Sequence, residues 1–141
     1  MNRVIFDTGF WRAVYDNQDD YHKQSISISE KIIDSGEYRI VIPFPTMYEL
    51  LRTEFVKKKS ILHNLNKTIT SNPHVELIYD EAYRDKAYEE MVSTRRNLSL
   101  VDCIVRVMLE DANLKITGIV TFNNGDFDDI CRKKQIELIC Y

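Results

Sequence analysis

The sequence has little of what staples or ligates a protein. Its three cysteines, Cys103, Cys131 and Cys140, are odd in number and form no CxxC pair. That argues against a disulfide framework and for a reducing compartment, the cytoplasm. The three histidines, His22, His63 and His74, show neither an HExxH nor a zinc-finger spacing, so a zinc site is not expected. Long apolar runs are missing too. The N-terminal run Val4-Ile5-Phe6 is too short for a signal peptide, and no stretch approaches the roughly 20 apolar residues of a membrane span. The expectation is a soluble chain without a membrane partner. A net positive charge is also absent: the formal charge is −3. Nonspecific nucleic-acid binders are usually basic. An enzyme that concentrates carboxylates around a metal escapes that argument, because the metal inverts the local field.

What is present is an ordinary globular composition. The 141 residues are 44% hydrophobic and 29% charged. A chain of this size buries roughly 70% of the surface its unfolded form exposes, and residues 1–141 read as one domain, without repeats, low-complexity tracts or a boundary.

Short apolar runs alternate with amphipathic segments. Val4–Phe6, Tyr38–Ile42, Val75–Tyr79, Gly118–Thr121 and Ile136–Cys140 read as strands. Helices are expected over Phe10–Tyr15 with Thr8 as its cap, and over Tyr21–Asp34, ended by Ser35-Gly36. Further helices are expected from Pro45 or Thr46 to Val56, over Ser60–Thr70 and Asp80–Met91, from Ser99 onward, and over Asp126–Arg132. Strand–helix alternation of this kind gives an α/β fold with a mostly parallel sheet of about five strands between two helical layers.

On that map several acids fall just after strands or at helix starts: Asp7, Glu49, Asp102 and Asp126. Open parallel sheets bind ligands at the carboxyl ends of their strands, so these four are candidates to converge there. Converging carboxylates repel one another and call for a cation. An oxygen-only donor set suits Mg²⁺ or Mn²⁺, which activates water and neutralises phosphodiester charge. Spacing alone does not choose between phosphodiester hydrolysis and other metal-assisted phosphate chemistry. Each acid also has a plainer reading: Asp7 as a turn cap, Glu49 as an acid suited to a helix dipole, and Asp102 as partner of Ser99 in a capping box. Arg52 and Arg106 each lie one turn after an acid, where they either pair with it or reach a phosphate.

Four segments together carry a resemblance. They are Val4-Ile5-Phe6-Asp7-Thr8-Gly9, Pro45-Thr46-Met47-Tyr48-Glu49-Leu50, Ser99-Leu100-Val101-Asp102-Cys103 and Val120-Thr121-Phe122-Asn123-Asn124-Gly125-Asp126-Phe127. Each is weak alone, but the ordered set spans nearly the whole chain. It resembles the PIN-domain family, in particular its VapC-like toxin branch. The resemblance implies a three-layer α/β/α fold, a Mg²⁺- or Mn²⁺-dependent endoribonuclease, a homodimer and a cognate antitoxin. It carries the acidic site over to Asp7, Glu49 and Asp102 as metal-holding, catalytic residues. For the fourth position both Asn123 and Asp126 stand as candidates. Asp126 is preferred for its charge, with Gly125 as the turn that swings it inward and Asn123 as a hydrogen-bonding neighbour. Two alternatives remain: a degenerate PIN-like module that binds RNA or protein without cutting, and a metal-dependent phosphatase.

Overall fold

Alternate residues of each central strand feed opposite faces of the sheet, and two separate cores result. The computed structural model describes residues 1–139. Five parallel strands form one sheet in the order β3-β2-β1-β4-β5. They are β1 (Asn2–Phe6), β2 (Tyr38–Pro43), β3 (Val75–Ile78), β4 (Ile116–Val120) and β5 (Glu137–Ile139). Val4, Phe6, Ile40, Ile42 and Val120 point to one core with Phe10, Trp11 and Ile28. Ile5, Val41 and Ile119 point to the other with Ile104, Met108 and Phe127. The expected three-layer α/β arrangement is therefore present.

The first core is covered by α1 (Thr8–Tyr15), α2 (His22–Ile28), which continues as a π-helical turn through Ile33, and α5 (Lys59–Ser71). Phe6, Phe10 and Trp11 are all fully buried there; Phe10 meets both other rings near edge-on. The second core is covered by α6 (Arg84–Ser93), α7 (Leu100–Glu110) and α8 (Asn124–Lys134). On α7 the buried residues Cys103, Ile104, Val105, Val107, Met108 and Leu109 make a broad apolar face.

Several boundaries differ from expectation. Asp7, not Thr8, caps α1: its side chain accepts from the Thr8 amide. A carboxylate there suits the positive end of the helix. The helix after β2 is not continuous to Val56. It divides into α3 (Phe44–Leu50) and α4 (Thr53–Val56), with Leu51 outside helical geometry at φ −85 and ψ 51. The Arg52 carbonyl restarts the hydrogen bonding by accepting from Phe55 and Val56. Asp80 lies before α6, where it receives the Arg84 side chain and two backbone amides. Gly125 makes no special turn, because it lies inside α8 without a positive φ. Gly36, by contrast, uses a φ of +72 to end the second helical segment, as Ser35-Gly36 implied. Cys103 and Cys131 are buried free thiols, while Cys140 lies outside the described residues. Among those residues no helix is long and apolar enough to cross a membrane.

Candidate active site

The strand order sets where a ligand can enter. From β1 the chain builds outward to β2 and β3, then crosses back to add β4 and β5 on the other side. The crevice at that reversal lies between the carboxyl ends of β1 and β4. Asp7 follows β1 directly and Thr121 follows β4. They meet: the Thr121 hydroxyl donates to Asp7 Oδ2 at 3.1 Å, and the Thr8 amide donates to Oδ1 at 2.9 Å. Asp7 is only 5% exposed. Its carboxyl is raised to about 6, chiefly by burial and then by Asp102 and more weakly Glu49, with the Thr8 and Thr121 hydrogen bonds only partly offsetting the rise.

Glu49 comes from α3, and its Oε1 accepts the Thr8 hydroxyl at 2.6 Å. Thr8 thus links two candidate acids, one through its amide and one through its hydroxyl. Asp102 occupies the third helical position of α7 in a complete capping box. Its amide donates to Ser99 Oγ at 3.1 Å, and its Oδ2 accepts from the Ser99 amide at 3.2 Å. Asp126 stands in the first turn of α8 rather than directly after β4. Burial raises its carboxyl and Asp102 raises it further, while Arg96 and Arg106 oppose the shift. Asp7 therefore feels Asp102 and Glu49, and Asp126 feels Asp102. Asn123 is exposed; its amide donates to Thr121 Oγ1 at 3.0 Å.

Among the described residues no three His, Cys, Asp or Glu side chains stand close enough to ligate one common ion. The donors are nonetheless all oxygen, and Mg²⁺ commonly keeps several waters while binding through one or two carboxylates. A buried carboxyl raised by its acidic neighbours fits such a partially hydrated cation. On α3 the buried Thr46 hydroxyl, one turn before Glu49, has no protein partner.

The arginines one turn after acids behave differently from simple pairing. Among the described residues Arg52 makes no ion pair with Glu49; it is exposed and lines a cavity of about 530 Å³. Arg12, Tyr15, Glu49, Phe55 and Ile61 share that cavity. Arg106 pairs with Asp129, not with Asp102. Nothing in the spacing of two separate helices signals this contact. Sequence reasoning also missed an aromatic ridge. Phe44 packs against Tyr79 with centroids 5.2 Å apart and against Tyr48 at 5.5 Å. Tyr48 is 73% exposed and Tyr79 64%.

No family model matches the sequence, and no curated protein matches it. Solved structures do match. One is VapC20 of Mycobacterium tuberculosis, described as a Sarcin-Ricin loop cleaving toxin. It aligns with a TM-score of 0.70 at 15% identity, over 89% of this chain and 94% of that one. Another is VapBC2 from Rickettsia felis, bound to a DNA fragment from their promoter. It aligns with a TM-score of 0.60 at 17% identity, over 99% of this chain and 98% of that one. The layered parallel sheet, with Asp7 at the reversal of strand order, has the PIN-like fold of these VapC proteins.

Proposed function

We propose that this chain is a Mg²⁺- or Mn²⁺-dependent endoribonuclease, acting as one domain in the cytoplasm as the toxin of a toxin–antitoxin pair. The observation that carries the reading is Asp7. It is a carboxylate at the reversal point of the sheet, raised chiefly by its burial and further by Asp102 and Glu49, on a fold shared with a Sarcin-Ricin loop cleaving toxin. A bound cation would offset the cost of keeping Asp7 ionised in a buried site beside Asp102 and Glu49.

In this reading Asp7, Glu49, Asp102 and Asp126 hold the ion, directly or through its waters. The bound cation supplies a more acidic water and neutralises charge on the phosphodiester. Thr121 and Thr8 fix the Asp7 and Glu49 oxygens before RNA arrives, which limits reorganisation during the reaction. The capping box does the same for Asp102. No covalent nucleophile is required.

The aromatic ridge supports RNA over a small phosphate ester. Continued past Ile5↔Val41, the strand register brings Asp7 level with Pro43, which pairs with Ile78. Tyr79, just past β3, therefore lies about two strand spacings, or roughly 10 Å, from Asp7. Exposed rings at that distance suit unpaired bases beside the cleaved phosphate. The cavity bordering Glu49 suits a segment of an antitoxin: Leu50, Phe55 and Ile61 offer apolar contacts, and Arg12, Arg52 and Lys58 offer charge. Tyr88 and Val92, exposed one turn apart on α6, offer a contact for a second copy in a homodimer.

The separation of the acids favours one rival, a PIN-like module that binds RNA without cutting. A single-stranded oligoribonucleotide incubated with Mn²⁺, Mg²⁺ or EDTA separates the two. Cleavage that requires metal supports the nuclease. Cleavage undiminished in EDTA overturns the metal reading, and binding without cleavage under every condition selects the rival.

A further inference from the structure

Asp102 and Asp126 belong to different helices, α7 and α8, and their charges oppose one another. Something must hold those two helix starts at a fixed separation. Arg106 lies one turn after Asp102 on α7. Its guanidinium grips Asp129 with both ends, Nη1 to Oδ1 at 2.8 Å and Nη2 to Oδ2 at 2.7 Å. Nη1 also donates to the backbone carbonyl of Asp126 at 2.7 Å. Arg96, from the segment before α7, adds a second guanidinium. It donates to Asp129 Oδ1 at 3.2 Å and to the carbonyl of Gly125. Two arginines thus hold the first turn of α8 by the backbone that carries Asp126.

Helix electrostatics does not account for this arrangement. Cations favour the C-terminal end of a helix, and α8 already has Arg132, Lys133 and Lys134 there. Arg96 and Arg106 sit at the opposite end, beside its positive pole. The Arg106 side chain is only 14% exposed although Asp129 is 56% exposed, and the two-ended contact fixes its geometry.

We propose that Arg106 and Asp129, assisted by Arg96, form a clamp that sets the separation of the Asp102 and Asp126 carboxylates, making them positioning residues for the acidic centre. The inference rests on the metal-dependent reading above. A lysine at position 106 keeps the charge but cannot reproduce the planar fork.

The test uses the full-length chain and two readouts, the Mn²⁺-induced rise in melting temperature and the Mn²⁺ dependence of oligoribonucleotide cleavage. The variants are Arg106→Lys, Asp129→Asn and the milder Arg96→Lys, which keeps the test open should the first two fail to fold. Arg132→Gln is the control, since it removes an ion pair with Asp128 within α8 that does not touch Asp126. Clamp variants should need about 10- to 100-fold more Mn²⁺ for half-maximal response, with cleavage recovering at high Mn²⁺; the control should titrate like wild type. If the clamp variants melt lower without metal yet titrate with Mn²⁺ like wild type, Arg106 and Asp129 are only structural and the proposal falls. If wild type itself shows no Mn²⁺ response, the metal reading falls and takes the clamp with it.

Discussion

Asp7 is buried by the same strand that makes it useful. Because its folded carboxyl is raised to about 6 from an ordinary 3.8, the folded state binds its proton more tightly than the unfolded chain does. The stabilisation from that proton is complete below about pH 4 and is lost as pH rises through about 6. In EDTA, melting temperature should therefore fall across that window, and saturating Mn²⁺ should restore stability at pH 7. Differential scanning calorimetry from pH 4 to 7.5 measures this; a flat profile without metal would contradict the raised carboxyl assigned to Asp7. At the fourth acidic position, Asp126→Asn should slow RNA hydrolysis by about 10- to 100-fold, the scale of losing a group that orients a metal ligand. Asn123→Asp should be tolerated, since Asn123 is exposed. A normal rate for Asp126→Asn together with a dead Asn123→Ala would reverse the two assignments.

The strands were legible because each is a short apolar run closed by a polar or turn residue, and that same pattern located Asp7 and Thr121 at strand ends. The Ser99–Asp102 capping box was legible for a local reason too, since its partners are three residues apart. What was hidden depends on packing. The break between α3 and α4 has no proline or glycine to announce it, yet it shapes the cavity beside Glu49. Arg106 and Asp129 are 23 residues apart on separate helices, so only their packing reveals the pair. The ridge of Phe44, Tyr48 and Tyr79 joins the start of α3 to the residue just past β3, far away in sequence. Its contribution is measurable: Tyr79→Ala should weaken binding of a single-stranded oligoribonucleotide by about 5- to 100-fold, the scale of one lost stacking contact, whereas Tyr79→Phe should bind normally. Equal affinity for all three proteins would remove the ridge from the RNA path.

At the scale of the whole molecule, one sheet both separates two cores and carries Asp7 at the carboxyl end of its central strand. Phe6 shows the connection. It is fully buried among Phe10 and Trp11 and immediately precedes Asp7. Phe6→Ala should cost about 3–5 kcal/mol by urea unfolding, as expected for a large ring removed from a packed core; a loss below about 1 kcal/mol would mean that the core is looser than described. The site itself should respond in the opposite sense. Asp7→Asn removes a buried charge and should stabilise the metal-free protein at pH 7 by on the order of 3 kcal/mol. The same change should abolish both the Mn²⁺-induced rise in melting temperature and the cleavage of RNA. Melting and cleavage assays on wild type and Asp7→Asn, each in EDTA and in Mn²⁺, test the acidic centre most directly. The account expects a variant that is more stable without metal, unresponsive to it and inactive; an Asp7→Asn protein that cleaves RNA at the wild-type rate would contradict it.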